Sequence, residues 1–178
     1  MTQLHRAYAF DHAAFRAELA PVLEAALSTG DAAPLAGFID GHLDALSDPY
    51  EGEPLAKEWR KLLESGDVQE LGDFALTKYY DGDLDMGLDA DWLEVKDELT
   101  QAGASVGLLL GAPFGPSSQP FDPGRQGSYF QSEADVARAH ETATLLATQN
   151  AKLADTLAPL LGLLAQAARH GKGLYVTF

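Results

Sequence analysis

A heptad pattern over residues 136–167 constrains the fold of this chain more than any other feature of its sequence. The pattern consists of nine apolar residues and one asparagine: Val136, Ala139, Ala143, Leu146, Asn150, Leu153, Leu157, Leu160, Leu164 and Ala167. Residues at this spacing fall on one face of a helix. Ser132 and Asp135 resemble a capping box at its start, and Pro159 removes a backbone donor within it. We therefore expect a long C-terminal helical pair or one kinked helix.

This 136–167 seam is compatible with two kinds of packing. Asn150 resembles the polar residue that fixes register in coiled coils, so the seam could join two copies of the chain as a homo-oligomer. Packing onto other helices of the same chain explains the same leucines without a second copy. The sequence leaves both possibilities open.

Three short segments have the composition typical of β-strands. They are residues 4–10 ("LHRAYAF"), 105–111 ("SVGLLLG") and 173–178 ("GLYVTF"), each apolar or alternating in character. The segments near the two chain ends could pair with the central one. The sequence therefore predicts a small sheet of about three short strands.

Helical spacing predominates in most of the remaining chain. One example follows Pro54, where Leu55, Trp59, Leu62 and Leu63 form an apolar stripe that predicts another helix. We therefore expect an α+β fold that is mainly helical. At 178 residues the chain has the length of one globular domain, residues 1–178, and it shows no internal repeat.

Residues 111–128 ("GAPFGPSSQPFDPGRQGS") contain four prolines and four glycines, so no regular element can continue through them. Phe114 and Phe121 indicate an ordered surface loop rather than a disordered one. Arg125 could contact an anion, because its planar fork donates hydrogen bonds in pairs, and Tyr129 could line the same pocket. One hypothesis is therefore a small ligand-binding protein or enzyme that uses this loop.

The charge balance is strongly negative, with 27 Asp and Glu against 12 Lys and Arg and a net charge of −15. Such a chain repels phosphate backbones and anionic lipids, so we expect neither nucleic acid nor membrane as a partner. It contains no cysteine, which excludes thiolate metal sites and disulfides and is compatible with a reducing compartment. No secretory signal pattern is visible at the start, and we expect a cytoplasmic protein.

The most acidic stretch, residues 79–94 ("YYDGDLDMGLDADWLE"), resembles a calcium-binding loop. Counting from Asp83 places the following residues at EF-hand positions 1, 3, 5, 7, 9 and 12: Asp83, Asp85, Gly87, Asp89, Asp91 and Glu94. Gly87 offers no side-chain oxygen, and Leu88 stands where glycine normally makes the sharp turn. The competing interpretation is an acidic turn in which Asp89 caps the next helix. Calcium is the only cofactor that the sequence suggests.

Two segments resemble catalytic motifs, but neither has the neighbouring residues or elements that the motif requires. "GASVG" (residues 103–107) matches the nucleophile elbow G-x-S-x-G, but here a helical pattern precedes Ser105 and a strand-like run follows it, the reverse of the elbow. "HETAT" (residues 140–144) has threonine where a zincin helix needs its second histidine. We therefore assign no catalytic residue, and the sequence favours a binding protein over an enzyme.

The function that the charge favours is an acidic interaction module that covers a basic partner protein. Inhibitors such as bacterial immunity proteins use this charge balance, because opposite charge speeds encounter and improves specificity. The comparison is one of analogy. A loop-based ligand site at residues 111–128 and a calcium loop at residues 83–94 are the alternatives.

Overall fold

The computed structural model describes residues 2–178, and it confirms a mainly helical α+β fold. The strands are β1 (Arg6–Phe10), β2 (Ser128–Gln131) and β3 (Gly173–Thr177). The helices are α1 (His12–Glu18), α2 (Ala20–Thr29), α3 (Ala33–Gly41), α4 (Val68–Leu76), α5 (Trp92–Gln101), α6 (Gly107–Leu110), α7 (Glu133–Ala147) and α8 (Ala151–Arg169). Short 3-10 helices occupy Leu43–Ala45, Trp59–Leu62 and Thr77–Tyr79. Among the described helices, none has the length and apolarity needed to span a bilayer.

The three strands form one antiparallel sheet in the order β1-β3-β2. The strands predicted near residues 4–10 and 173–178 are confirmed, and they pair directly with each other. The strand predicted at residues 105–111 is wrong, because this segment forms the short helix α6. The Ser105 hydroxyl accepts a hydrogen bond from the Gly107 N–H (3.0 Å) at the start of this helix. A short apolar run has no period that separates a buried strand from a buried helical turn.

Both faces of the sheet are covered by helices, because alternate side chains of its strands belong to different apolar clusters. Tyr175, Phe130 and Phe10 pack with α1 to α4. Leu174 and Val176 pack with α5 to α8. The fold therefore has three layers, with the earlier helices on one face of the sheet and the later helices on the other.

The 136–167 seam is buried within the chain. Its buried members are Val136, Ala139, Ala143, Leu153, Leu157, Leu160, Leu164 and Ala167. The capping box at Ser132 and Asp135 is confirmed. The break between the two helices comes at Asn150, whose Oδ1 accepts a hydrogen bond from the Leu153 N–H (2.9 Å), while Pro159 lies on the exposed side of an unbroken α8. These leucines are covered by other residues of the same chain. A homo-oligomer formed through the seam stays an untested prediction.

The segment between α6 and β2 is anchored by its phenylalanines. Phe121 is fully buried and Phe114 nearly so, and the Phe121 N–H donates to the Phe114 carbonyl (2.8 Å). Gly72 in α4 admits the Phe121 ring, since a Cβ there would lie 2.7 Å from it. This packing fixes the position of the exposed turn that carries Arg125.

Candidate functional site

The acidic stretch of residues 79–94 covers the outer edge of β1. The Met86 N–H donates to the Ala7 carbonyl (2.7 Å), and His5 and Asp89 exchange two backbone hydrogen bonds (3.0 and 3.2 Å). An edge strand otherwise presents unpaired backbone groups to solvent. The first role of this stretch is therefore to close one side of the sheet.

Asp85 makes several of the contacts that hold this cover in place. Its Oδ2 pairs with the Arg6 guanidinium (2.7 Å), and its Oδ1 accepts hydrogen bonds from the N–H groups of Ala7 (3.0 Å) and Gly87 (2.8 Å). Burial opposes ionisation, but Arg6 and these N–H donors hold the pKa of Asp85 below its ordinary value. Gly87 must be glycine, because a Cβ would lie 2.0 Å from the His5 carbonyl oxygen.

The calcium hypothesis stays a prediction. Within residues 2–178, no three His, Asp or Glu side chains are grouped as a metal site would require. Asp83 lines a cavity described below, whereas Asp89, Asp91 and Glu94 are exposed near the start of α5. The capping role expected of Asp89 is wrong: the N-cap of α5 is Asp91, and Asp89 occupies a left-handed turn (φ 47°) paired with His5.

Arg125 and Tyr129, the two predicted ligand-binding residues, lie in different surroundings. Arg125 is exposed in a left-handed turn (φ 55°) and lines a cavity of about 230 Å³. Tyr129 packs against the apolar cluster of α5 to α8, with its ring edge-on to Phe178 (6.5 Å between centroids). It does not line the cavity that Arg125 lines.

Two cavities meet at Tyr50, which is 64% exposed. The larger cavity, of about 450 Å³, lies between the turn of residues 45–52 and the segment 77–83. The Ser47 N–H donates to Thr77 Oγ1 (3.0 Å), which joins these two walls. The smaller cavity lies between residues 64–70 and the turn that carries Arg125. We refer to all residues that line either of these two cavities as the Tyr50 face.

The Tyr50 face is far more acidic than the chain as a whole. Eight carboxylates line it: Asp48, Glu51, Glu64, Asp67, Glu70, Asp81, Asp83 and Asp122. Its only cations are Lys78, which is paired with Glu18, and Arg125. In residues 2–178, lysine or arginine side chains pair with six other carboxylates and with none of these eight: Asp11, Glu18, Asp40, Asp85, Glu98 and Asp135. The negative charge of the face is therefore not neutralised by the chain itself.

Backbone donors fix two of these acids in position. Asp48 Oδ1 accepts hydrogen bonds from the N–H groups of Tyr50 (2.8 Å) and Glu51 (3.3 Å). Glu70 accepts four hydrogen bonds from the turn of residues 64–66, at 2.6 to 3.0 Å. Burial would raise the pKa of Glu70, but these donors together hold it below its ordinary value. Both carboxylates are thus held rigidly at the edge of the cavities.

Asp73 is a third buried acid in this region, and it has no compensating partner. It is 9% exposed, and within the described residues it forms no ion pair and no side-chain hydrogen bond. Burial, with smaller contributions from Asp48 and Glu70, raises the pKa of Asp73 to about 7. Its charge acts in turn on four tyrosines around it: Tyr8, Tyr50, Tyr80 and Tyr175. Its carboxylate oxygens retain some contact with solvent, because the fully enclosed side-chain atoms without a hydrogen bond lie elsewhere, on His5, Ser128 and Gln131.

Tyr50 and Asp73 could not be identified as site residues from the sequence. Tyr50 lies in "SDPYEGE" (residues 47–53), which has the composition of an ordinary turn, and Asp73 lies in "GDFALTKYY" (residues 72–80), which has that of an ordinary helix. Comparisons of the chain with protein-family models, with curated proteins and with solved structures find no match. The Tyr50 face thus combines fixed carboxylates with an exposed aromatic ring, and both kinds of group attract cations.

Proposed function

We propose that this chain is an acidic protein-interaction module that binds a basic protein partner through the Tyr50 face. The observation that supports the proposal is the concentration of eight carboxylates on the face, none of them in an ion pair within residues 2–178, while six acids elsewhere are paired with lysine or arginine. An inhibitor or immunity role follows by analogy.

The physical basis is electrostatic complementarity with an aromatic anchor. A concentrated negative field steers a basic partner into encounter and makes the association rate sensitive to salt. Exposed tyrosine is one of the residue types that dominate binding energy at protein interfaces. Tyr50 lies between the two acidic cavities and meets both requirements.

The geometry favours this function over an anion site in the 111–128 loop. Arg125 shares its cavity with four carboxylates: Glu64, Asp67, Glu70 and Asp122. An anionic ligand that approached Arg125 would therefore be repelled by more charges than attract it.

The test compares two triple variants that change the net charge equally. Glu51→Gln, Asp81→Asn and Asp83→Asn neutralise exposed acids of the face. The control variant neutralises three exposed acids outside it: Asp97→Asn, Glu141→Gln and Asp155→Asn. Each protein is immobilised, incubated with lysate of the native host at low salt, and the retained proteins are quantified by mass spectrometry.

We expect a basic protein that the wild type and the control variant retain and the face variant loses. Titration of that protein should show an affinity about tenfold lower for the face variant, from about 0.5 kcal/mol per exposed charge pair. Its affinity should also fall with added salt. Equal retention by both triple variants would exclude the Tyr50 face as the binding surface.

A further inference from the structure

We propose that the larger cavity of the Tyr50 face is a receptor for the guanidinium group of an arginine side chain, which enters between Tyr50 and Tyr80. This inference rests on the proposed function, because it names the group of the basic partner that the face would hold. It goes beyond that function by assigning one cavity and one chemical class of ligand.

The cavity has an aromatic residue on each wall. Tyr50 belongs to the turn of residues 45–52 and is largely exposed, with its ring edge-on to Phe74 (6.2 Å between centroids). Tyr80 belongs to the opposite wall, where its ring packs on Tyr8 (4.8 Å) and Tyr175 (5.3 Å). One wall is thus anchored in the sheet, and a flat cation between the two can contact aromatic surface on both sides.

Carboxylates surround the same space. Asp81 and Asp83 are exposed on one wall and Asp48 lies on the other. The hydrogen bonds that fix Asp48 engage its Oδ1, so its Oδ2 has no partner among the described residues. An incoming cation would find one acceptor at a fixed position, on Asp48, and would not need to displace an existing ion pair.

A guanidinium group fits this arrangement better than an ammonium group. Its plane can stack on a tyrosine face while its edge donates hydrogen bonds to carboxylates. An ammonium group is a compact and strongly hydrated point charge, and it cannot use an aromatic wall and a carboxylate edge in the same way. The combination of two tyrosines and several acids therefore selects for arginine.

Asp73 does not line this cavity, but its charge acts on two residues that do, Tyr50 and Tyr80. The charged or titratable groups that interact with its carboxyl are acids or tyrosines on the surrounding elements: Asp48 and Tyr50 of the turn, Glu70 of α4, Tyr80, Tyr8 of β1 and Tyr175 of β3. None of them supplies a positive charge. Tyr50, Tyr80 and Asp48 also line the cavity, so a cation between them would act on Asp73. Because the pKa of Asp73 is about 7, a bound cation would favour its ionised form near neutral pH.

The experiment is an NMR titration of the ¹⁵N-labelled chain with n-butylguanidinium, compared with n-butylammonium at matched ionic strength. We expect saturable shifts of the amides of residues 47–52 and 78–83, with tighter binding of the guanidinium. Tyr50→Ala should weaken the guanidinium complex about threefold, as expected for loss of an exposed cation–π contact, whereas Tyr50→Phe should retain it. Scattered shifts over the whole surface, or equal affinity for the two cations, would overturn the assignment.

The pH profile tests the contribution of Asp73. Wild-type affinity for n-butylguanidinium should be higher at pH 8 than at pH 6, since ionisation of Asp73 adds an attractive charge. In Asp73→Asn this dependence should be lost, while the variant still binds through Asp81, Asp83 and the tyrosines. An unchanged pH dependence in Asp73→Asn would remove Asp73 from the site.

The outcomes for the two proposals are distinguishable. A cavity that binds n-butylguanidinium in a chain that retains no basic protein would overturn the proposed function and keep the receptor. A basic partner that depends on the Tyr50 face, together with no binding of n-butylguanidinium, would overturn the receptor and keep the function.

Discussion

At the residue scale, Glu70 shows how one carboxylate can hold a turn in place. It accepts hydrogen bonds from the N–H groups of Glu64, Ser65 and Gly66 and from the Ser65 hydroxyl. In Glu70→Gln the amide nitrogen cannot accept, so partly buried donors lose a charged hydrogen-bond partner. We expect the free energy of unfolding in urea to fall by about 1–3 kcal/mol. The control is Glu64→Gln, an exposed position that should change stability little; equal losses would contradict this role of Glu70.

Gly87 gives a second prediction at this scale. A Cβ at Gly87 would lie 2.0 Å from the His5 carbonyl, so Gly87→Ala must displace the segment that covers β1. We expect a loss of about 1–3 kcal/mol of unfolding free energy, as for other forced steric contacts, measured by urea unfolding. Gly82→Ala is the matched control in the same acidic stretch, since its nearest neighbour is 3.9 Å away. Similar stability of the two variants would exclude the steric explanation.

The sequence identified Gly87 as a flaw in a calcium loop but could not give the reason for it. The reason is a backbone from the other end of the chain, at His5. Asp85 is a similar case, because its partners Arg6 and Ala7 are adjacent only after folding. The sequence shows that a glycine and an aspartate occupy these two positions. It does not show the tertiary contacts with residues 5–7 that require them.

At the element scale, the acidic stretch of residues 79–94 allows a direct test of its role. Asp85 is committed to Arg6 and to backbone donors, so we expect calcium and magnesium to raise the melting temperature by equal small amounts at matched ionic strength. Such shifts report only the screening of crowded negative charge. A shift with calcium alone, lost in Asp83→Asn or Glu94→Gln, would establish the calcium loop instead.

The elements themselves were predictable to different degrees. The heptad pattern of α7 and α8 continues over residues 136–167 and begins with a capping box, so the sequence predicts these helices well. Short elements were harder: the predicted strand at residues 105–111 contains the helix Gly107–Leu110, and the stripe after Pro54 yields only the 3-10 helix Trp59–Leu62. Trp59 is held there by its indole N–H, which donates to Asp40 (2.9 Å). This contact between separate elements outweighs the local helical pattern.

At the scale of the whole molecule, the Tyr50 face could not be predicted because it is assembled from separate parts of the chain. The turn of residues 45–52, α4, the segment 77–83 and the turn at Arg125 contribute to it. The sequence predicted the sign of the charge, whereas the basic partner stays a prediction. The place where that charge is left unpaired depends on which acids the fold pairs with cations, and only tertiary contacts decide that.

The pH dependence of stability follows from two buried groups with opposite effects. The pKa of Asp73 in the folded state, about 7, is above its ordinary value of about 3.9. The contribution of Asp73 to the free energy of unfolding therefore falls as the pH rises between these two values. Burial lowers the pKa of His5 to about 4, below its ordinary value of about 6.5. The contribution of His5 to the free energy of unfolding therefore rises as the pH rises from about 4 to about 6.5. The two slopes, each at most about 1.4 kcal/mol per pH unit, oppose one another below about pH 6.5.

Asp73→Asn should therefore change the shape of the stability profile. In urea unfolding from pH 4 to pH 8, we expect the variant to gain stability relative to the wild type as pH rises towards 7. The gain should level off above that pH, where the wild-type Asp73 is ionised in both states. Asp97→Asn, at an exposed position, is the control and should follow the wild-type profile. A constant difference between Asp73→Asn and wild type would contradict the burial argument.

The order β1-β3-β2 also has a kinetic consequence. The middle strand lies late in the chain, and its pairing with β1 joins Ala7 to Val176. Contacts of such long sequence separation cost loop-closure entropy before they contribute any stability, and they slow folding. The helical layers can form from local contacts, but the sheet between them requires the two ends of the chain to meet. Refolding should therefore be slower than that of a helical bundle of this length, with formation of the sheet as its late step.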